Sequence, residues 1–169
     1  MKTQFTITSK VFKDGIIPDK YGKRGECDGF GMPVVSPPLE FNDLPEGTVS
    51  IALVCEDKDA FKVSGFSWVH WTVANITTTA LKEDASRFPD GFVQGLNSCF
   101  SIQGGRRSKS EVACYGGMAP PDAPHVYEFH AYALDCKLDL KDGFYMNDLY
   151  KAMDGHVLAQ STLKGLYRN

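Results

Sequence analysis

Glu56-Asp-Lys-Asp-Ala-Phe-Lys-Val-Ser-Gly-Phe-Ser-Trp-Val-His-Trp71 decides how this chain reads. Before it, the apolar run Val49-Ser-Ile-Ala-Leu-Val-Cys55 stops abruptly at Glu56, Asp57, Lys58 and Asp59. After it the apolar pattern resumes, Trp68-Val-His-Trp-Thr-Val-Ala74. Read as two strands, strict alternation predicts Trp68 and His70 on one face and Val69, Trp71 and Val73 on the other. Asp57 and Asp59, at the end of the first strand, then face an imidazole on the second. That arrangement would cut a polar pocket into an apolar sheet. The fragment alone reads equally well as a solvated turn beside a satisfied core histidine, so the rest of the chain has to decide.

Outward from this centre the sequence is strand-rich and turn-dense. Upstream, Phe5, Ile7 and Ser9 alternate with threonines as a first strand, and residues 13–34, rich in Gly, Asp and Lys, read as a long ordered loop. Ser36-Pro37-Pro38 stiffens the chain before a short edge-like strand at Leu39-Glu40-Phe41, and Leu44-Pro45-Glu46-Gly47 makes a turn. Downstream, residues 77–90 are weakly patterned with at most one helical turn, and 91–97 are extended. Residues 98–111, with Gln103-Gly-Gly-Arg-Arg-Ser-Lys-Ser110, read as the most mobile loop, with the basic run a solvated tip. Cys114 to His125 is too rich in Gly and Pro for regular structure and leads into the β-prone Val126–Leu134, with His125 and Tyr127 on one face. One helix is predicted, from Tyr145, Met146, Leu149, Tyr150 and Met153, with Asn147 as N-cap and Gly155 as stop. Residues 156–167 read as a last strand in preference to a frayed helix.

Length and composition narrow the function classes. The 169 residues suit one domain spanning 1–169. A net charge of −3 without a long Lys/Arg tract argues against a nucleic-acid partner. The five cysteines have no C-x-x-C spacing, and no segment reads as a secretory leader or transmembrane span, so a cytoplasmic protein with reduced thiols is expected.

The order of Asp57-Lys-Asp59-Ala60, Trp68-Val-His70-Trp71, Tyr115-Gly-Gly-Met-Ala-Pro-Pro121 and His125-Val-Tyr127 resembles the phosphatidylethanolamine-binding protein family. Within it the chain is most similar to the short prokaryotic, Raf-kinase-inhibitor-like branch. Ser36-Pro37-Pro38-Leu39, Gln94-Gly95-Leu96-Asn97-Ser98, Tyr132-Ala-Leu-Asp135 and Gly155-His156-Val-Leu-Ala159 extend the likeness over essentially the whole chain. The resemblance implies a mostly β protein, with a central antiparallel sheet packed on a smaller sheet and a few peripheral helices. It also implies a ligand pocket lined by Asp57, Asp59, Trp68, His70, Gly116, Pro120, His125 and Tyr127. Three positions depart from the family pattern: Phe61 replaces a Pro, Gly117-Met118 replaces Gly-Pro, and Val126 replaces an Arg beside the site.

Chemically, two histidines could donate to phosphate oxygens while a carboxylate orients one of them, and backbone N–H groups at Gly116-Gly117 could add donors. A spare carboxylate would attract an ammonium group. Non-enzymatic binding of a small phosphorylated or anionic ligand, such as a phosphoethanolamine-like head group, is therefore expected, with no cofactor. The chain shows no Gly-x-Ser-x-Gly elbow and no Cys beside a His in sequence, which disfavours a hydrolase. A zinc site from the same Asp and His residues is disfavoured because the resemblance implies anions. The alternative function is regulation through a protein partner, with the 98–111 loop the first place to look. Relatives also make a homodimer an expectation.

Overall fold

The computed structural model describes residues 4–169. Eight strands form two antiparallel sheets. β3 (Ser50–Asp57), β4 (Trp68–Ile76), β6 (Val93–Gln94), β7 (His125–Leu134) and β8 (Val157–Tyr167) make the larger sheet, in the order β6-β4-β3-β7-β8. β1 (Thr6–Thr8), β2 (Leu39–Asn42) and β5 (Ala80–Leu81) make the smaller one, in the order β1-β2-β5. Helices are few and short: α1 (Phe61–Ser64), α2 (Lys109–Val112) and α3 (Met146–Met153), with 3-10 turns at Asp19–Tyr21 and Ser98–Phe100. The mostly β, two-sheet architecture is the one expected.

The main core lies between the sheets. Leu53, Cys55, Trp71, Val73 and Phe129 from the large sheet pack with Ile7, Leu39 and Phe41 from the small one and with Phe5 just before β1. The opposite face of the large sheet buries Ala52, Val54, Ala74 and Leu134 under Leu149 and Met153 of α3. Because β3 is covered on both faces, its sequence runs apolar without alternation.

One expectation about β4 is corrected. Cys55 pairs with Trp71, but Glu56 pairs with Val69 and Asp57 with Trp68, so the register slips and His70 is the extra residue of a β-bulge. Asp57 and Cys55 are two apart on β3 and share a face, so their partners Trp68 and Trp71 share one as well. Strict alternation put those two tryptophans on opposite faces. The bulge instead lets Trp71 enter the core, edge-on to Tyr115, while Trp68 and His70 line a cavity on the same side.

Other departures are local. α3 starts at Met146 with Tyr145 in the cap position, so Asn147 is inside the first turn. Asp148, three residues on, accepts the Tyr145 N–H at 3.3 Å, as the N3 residue of a capping box does. Gly155, at φ 79°, follows the helix end as predicted. Residues 77–90 contribute β5, which pairs Leu81 with Leu39 and Ala80 with Glu40. A two-residue strand has too little sequence for a pattern to show. Among the described residues, no helix is long and apolar enough to cross a membrane.

Candidate functional site

At the end of the large sheet where β3 stops, β4 begins and β7 begins, a cavity of about 520 Å³ opens. Seven of the eight sequence-derived site residues line it: Asp57, Trp68, His70, Gly116, Pro120, His125 and Tyr127. Register explains the gathering, since Asp57 pairs with Trp68 on one side and Tyr127 on the other. Asp59 is the exception. It is not part of the lining, and its carboxylate accepts the Val126 N–H at 2.9 Å, tying the β3 exit to the start of β7. The departures fall elsewhere too: Phe61 is exposed at the start of α1, and Met118 is fully buried against the Tyr115 hydroxyl.

The polar floor is a chain of charge. Asp57 and His125 are both buried, with Asp57 Oδ2 2.7 Å from His125 Nδ1. The other carboxylate oxygen of Asp57 accepts the Ala60 N–H at 3.1 Å, which fixes its orientation. His125 Nε2 reaches Asp122 Oδ1 at 2.9 Å, and the Asp122 side chain is 44% exposed. Burial alone would lower the pKa of His125, but the two carboxylates outweigh it and hold the imidazole above its ordinary value. An imidazolium clamped between two carboxylates donates from both nitrogens.

His70 is different. Its Nδ1 donates to the Gly116 carbonyl at 2.6 Å, and its ring meets Tyr127 edge-on at 5.0 Å. Burial pushes its pKa below the ordinary value, against the Gly116 hydrogen bond and the Asp57 charge. Nor do the backbone donors expected at Gly116-Gly117 stand free: Gly116 N–H goes to the His70 carbonyl and Gly117 N–H to Pro33. Gly117 is needed for its close approach instead, because a Cβ there would sit 2.5 Å from the Tyr21 carbonyl oxygen.

Two lining or rim residues escaped sequence reasoning. Arg107, predicted to sit in a solvated tip, turns inward; its side chain is 12% exposed and bonds Asp28 at 2.7 Å. Its guanidinium lies over Phe30, and its Nε has no partner among the described residues. It puts a guanidinium, paired with Asp28, on the cavity wall. Asp122 is the other, hidden in a Pro-Pro-Asp-Ala-Pro turn that reads as plain loop. The 98–111 segment is correspondingly not a detached mobile loop: it carries a 3-10 turn and α2, and Cys99, Gly104, Gly105 and Arg107 form one wall. The remaining lining is largely apolar, including Met32, Pro33, Val63 and Pro121.

A model of the family described as phosphatidylethanolamine-binding protein matches residues 8–168. The chain belongs to that family. It is 42% identical over 155 residues to YxkA of Bacillus subtilis, covering 89% of this chain and 92% of that one. It is 41% identical over 169 residues to a UPF0098 protein of Methanothermobacter thermautotrophicus, covering 96% and 97%. Among solved structures, the family homolog CT736 of Chlamydia trachomatis superposes with a TM-score of 0.80 at 36% identity, covering 98% of each chain. YbcL of Escherichia coli, described as a member of the mammalian family, gives 0.77 at 30% identity over 99% of each. The two-sheet fold is thus the family's fold.

Proposed function

We propose that the protein binds, without chemical turnover, a small phosphorylated ligand with an apolar portion in this cavity. One observation carries the reading. The Asp122 carboxylate, 44% exposed and outside the cavity lining, rests on Nε2 of the lining residue His125, so it stands in for an oxyanion that the imidazolium can hold. A phosphoryl group would displace it and take over that N–H, with the Arg107 guanidinium as the second cation lining the space. A ligand ammonium, as in phosphoethanolamine, would pair with the displaced Asp122 carboxylate rather than with Asp59. The apolar wall receives the rest of the molecule.

The thiols and hydroxyls near the floor fit binding better than covalent catalysis. Burial raises the pKa of Cys99 and pushes that of Cys114 up to about 11, which keeps both as thiols. Ser67 Oγ donates to Glu56 at 2.8 Å on the other side of β3 and has no histidine to activate it.

Phosphorus-31 NMR titration of phosphoethanolamine tests the reading. The wild-type signal should shift and broaden with a dissociation constant of roughly 1 mM, about −4 kcal/mol. The effect should weaken as the pH rises through the raised pKa of His125, where the ring loses its charge. His125→Ala, with its fold verified by circular dichroism, should show no shift; a shift equal to wild type would refute the role given to His125.

A regulatory reading has its own support in the exposed apolar residues Phe30, Phe61, Val63 and Ile102, of which Phe30 and Val63 also line the cavity. Deleting 98–111 could not separate the two readings, because that segment builds the cavity wall.

A further inference from the structure

The cavity floor is not uniformly a set of donors. The Gly116 carbonyl can only accept, so the proton of neutral His70 sits on Nδ1, 2.6 Å away. Nε2 of the same ring then carries a lone pair, and it is buried with no hydrogen-bond partner among the described residues. His70 is 5% exposed and lines the cavity. The titratable and charged groups around it are Asp57, His125 and Tyr127, and Arg107 is a further charged residue of the lining. None of them supplies a donor to this nitrogen in the structure.

We infer that the cavity selects an oxyanion that itself carries a hydrogen-bond donor, as hydrogen phosphate does through its P–O–H, and rejects one that carries none, as sulfate does. The inference rests on the anion-binding reading above and narrows its ligand class to the protonated phosphoryl group, which inorganic phosphate carries at neutral pH and a phosphomonoester carries mainly below its second pKa of about 6. One phosphate oxygen accepts from His125 Nε2 while the P–O–H donates to His70 Nε2. Sulfate matches phosphate in size and shape but has no proton at neutral pH. At His70 it sets lone pair against lone pair, or it has to draw a proton onto a ring that burial keeps neutral. Sites built around a buried hydrogen-bonding group discriminate strongly against analogues that leave it unpaired. This makes His70 the selectivity residue and His125 the residue that holds the negative charge.

The test is calorimetric titration of inorganic phosphate and of sulfate at pH 7, at equal ionic strength, on the wild-type protein and on His70→Ala. The wild type should bind phosphate at least ten-fold more tightly than sulfate. His70→Ala should bring that ratio down towards one. The wild-type ratio decides the matter even if the variant folds poorly. Equal binding of the two anions by the wild type would overturn this inference and leave the anion site standing. Binding of neither would overturn both.

Discussion

Asp122→Ala should bind inorganic phosphate about ten-fold more tightly than the wild-type protein. Asp122 holds His125 Nε2 at 2.9 Å, so an anion that takes this N–H has to break that contact. The contact is formed by a carboxylate that is 44% exposed, so it gives back little when lost. The ligand, by contrast, would gain a charge-assisted hydrogen bond to a buried imidazolium. Asp57 still holds His125 Nδ1 at 2.7 Å in the variant, so the ring stays charged. The ten-fold gain corresponds to about 1.4 kcal/mol. Phosphoethanolamine should gain less, because its ammonium loses the carboxylate that the phosphoryl group pushes aside. Titration calorimetry with both ligands reads the difference. A weaker affinity for inorganic phosphate in the variant would show that Asp122 helps to hold the anion instead of competing with it.

Asp57→Ala should be the most damaging single change at the site. Asp57 and His125 side chains are 4% and 3% exposed, and breaking a buried pair by removing one partner costs about 3–5 kcal/mol. The same carboxylate also accepts the Ala60 N–H, which is left buried without a partner. The deficit should depend on pH in a defined direction. His125 has a raised pKa in the fold, so its stabilisation is fully present below the unfolded value of about 6.5 and is lost as pH rises through the folded one. His70 has a lowered pKa, so its protonation in the unfolded chain erodes stability as pH falls below about 6.5. Losing the Asp57 charge depresses it further, which again harms the low-pH side. Urea unfolding should therefore show a larger loss at pH 6 than at pH 9. An equal loss at both would mean that the pair does not hold an imidazolium.

The parts of the fold legible in sequence are those with enough residues to carry a pattern. Strands β3, β4 and β7 are visible as apolar or β-prone runs and helix α3 as helical periodicity, and the family resemblance brings Asp57, His70, His125 and Tyr127 together before any coordinates. The bulge at His70 is not visible, because a register slip depends on what the partner strand does, and no local signal marks it. Arg107 failed for a similar reason. A basic run looks solvated unless one knows that Asp28, remote in sequence, waits to pair with it. Asp59 shows the converse: its motif position suggested a ligand contact, while its carboxylate lies outside the lining and holds the Val126 N–H. Residue type located the site; hydrogen-bond assignment, which depends on three-dimensional partners, decided what each residue does there.

Nitrogen-15 NMR of the four histidine side chains during a phosphate titration at pH 6.5 is the most direct measurement. His130 and His156 lie outside the cavity, bonded to Thr162 and Asp135, and serve as internal controls. Phosphate should shift Nε2 of His125 and Nε2 of His70, with His70 Nδ1 remaining protonated, and should leave His130 and His156 unchanged. Shifts confined to His130 or His156, or no shift at either cavity histidine at saturating phosphate, would contradict an anion site at this end of the sheet.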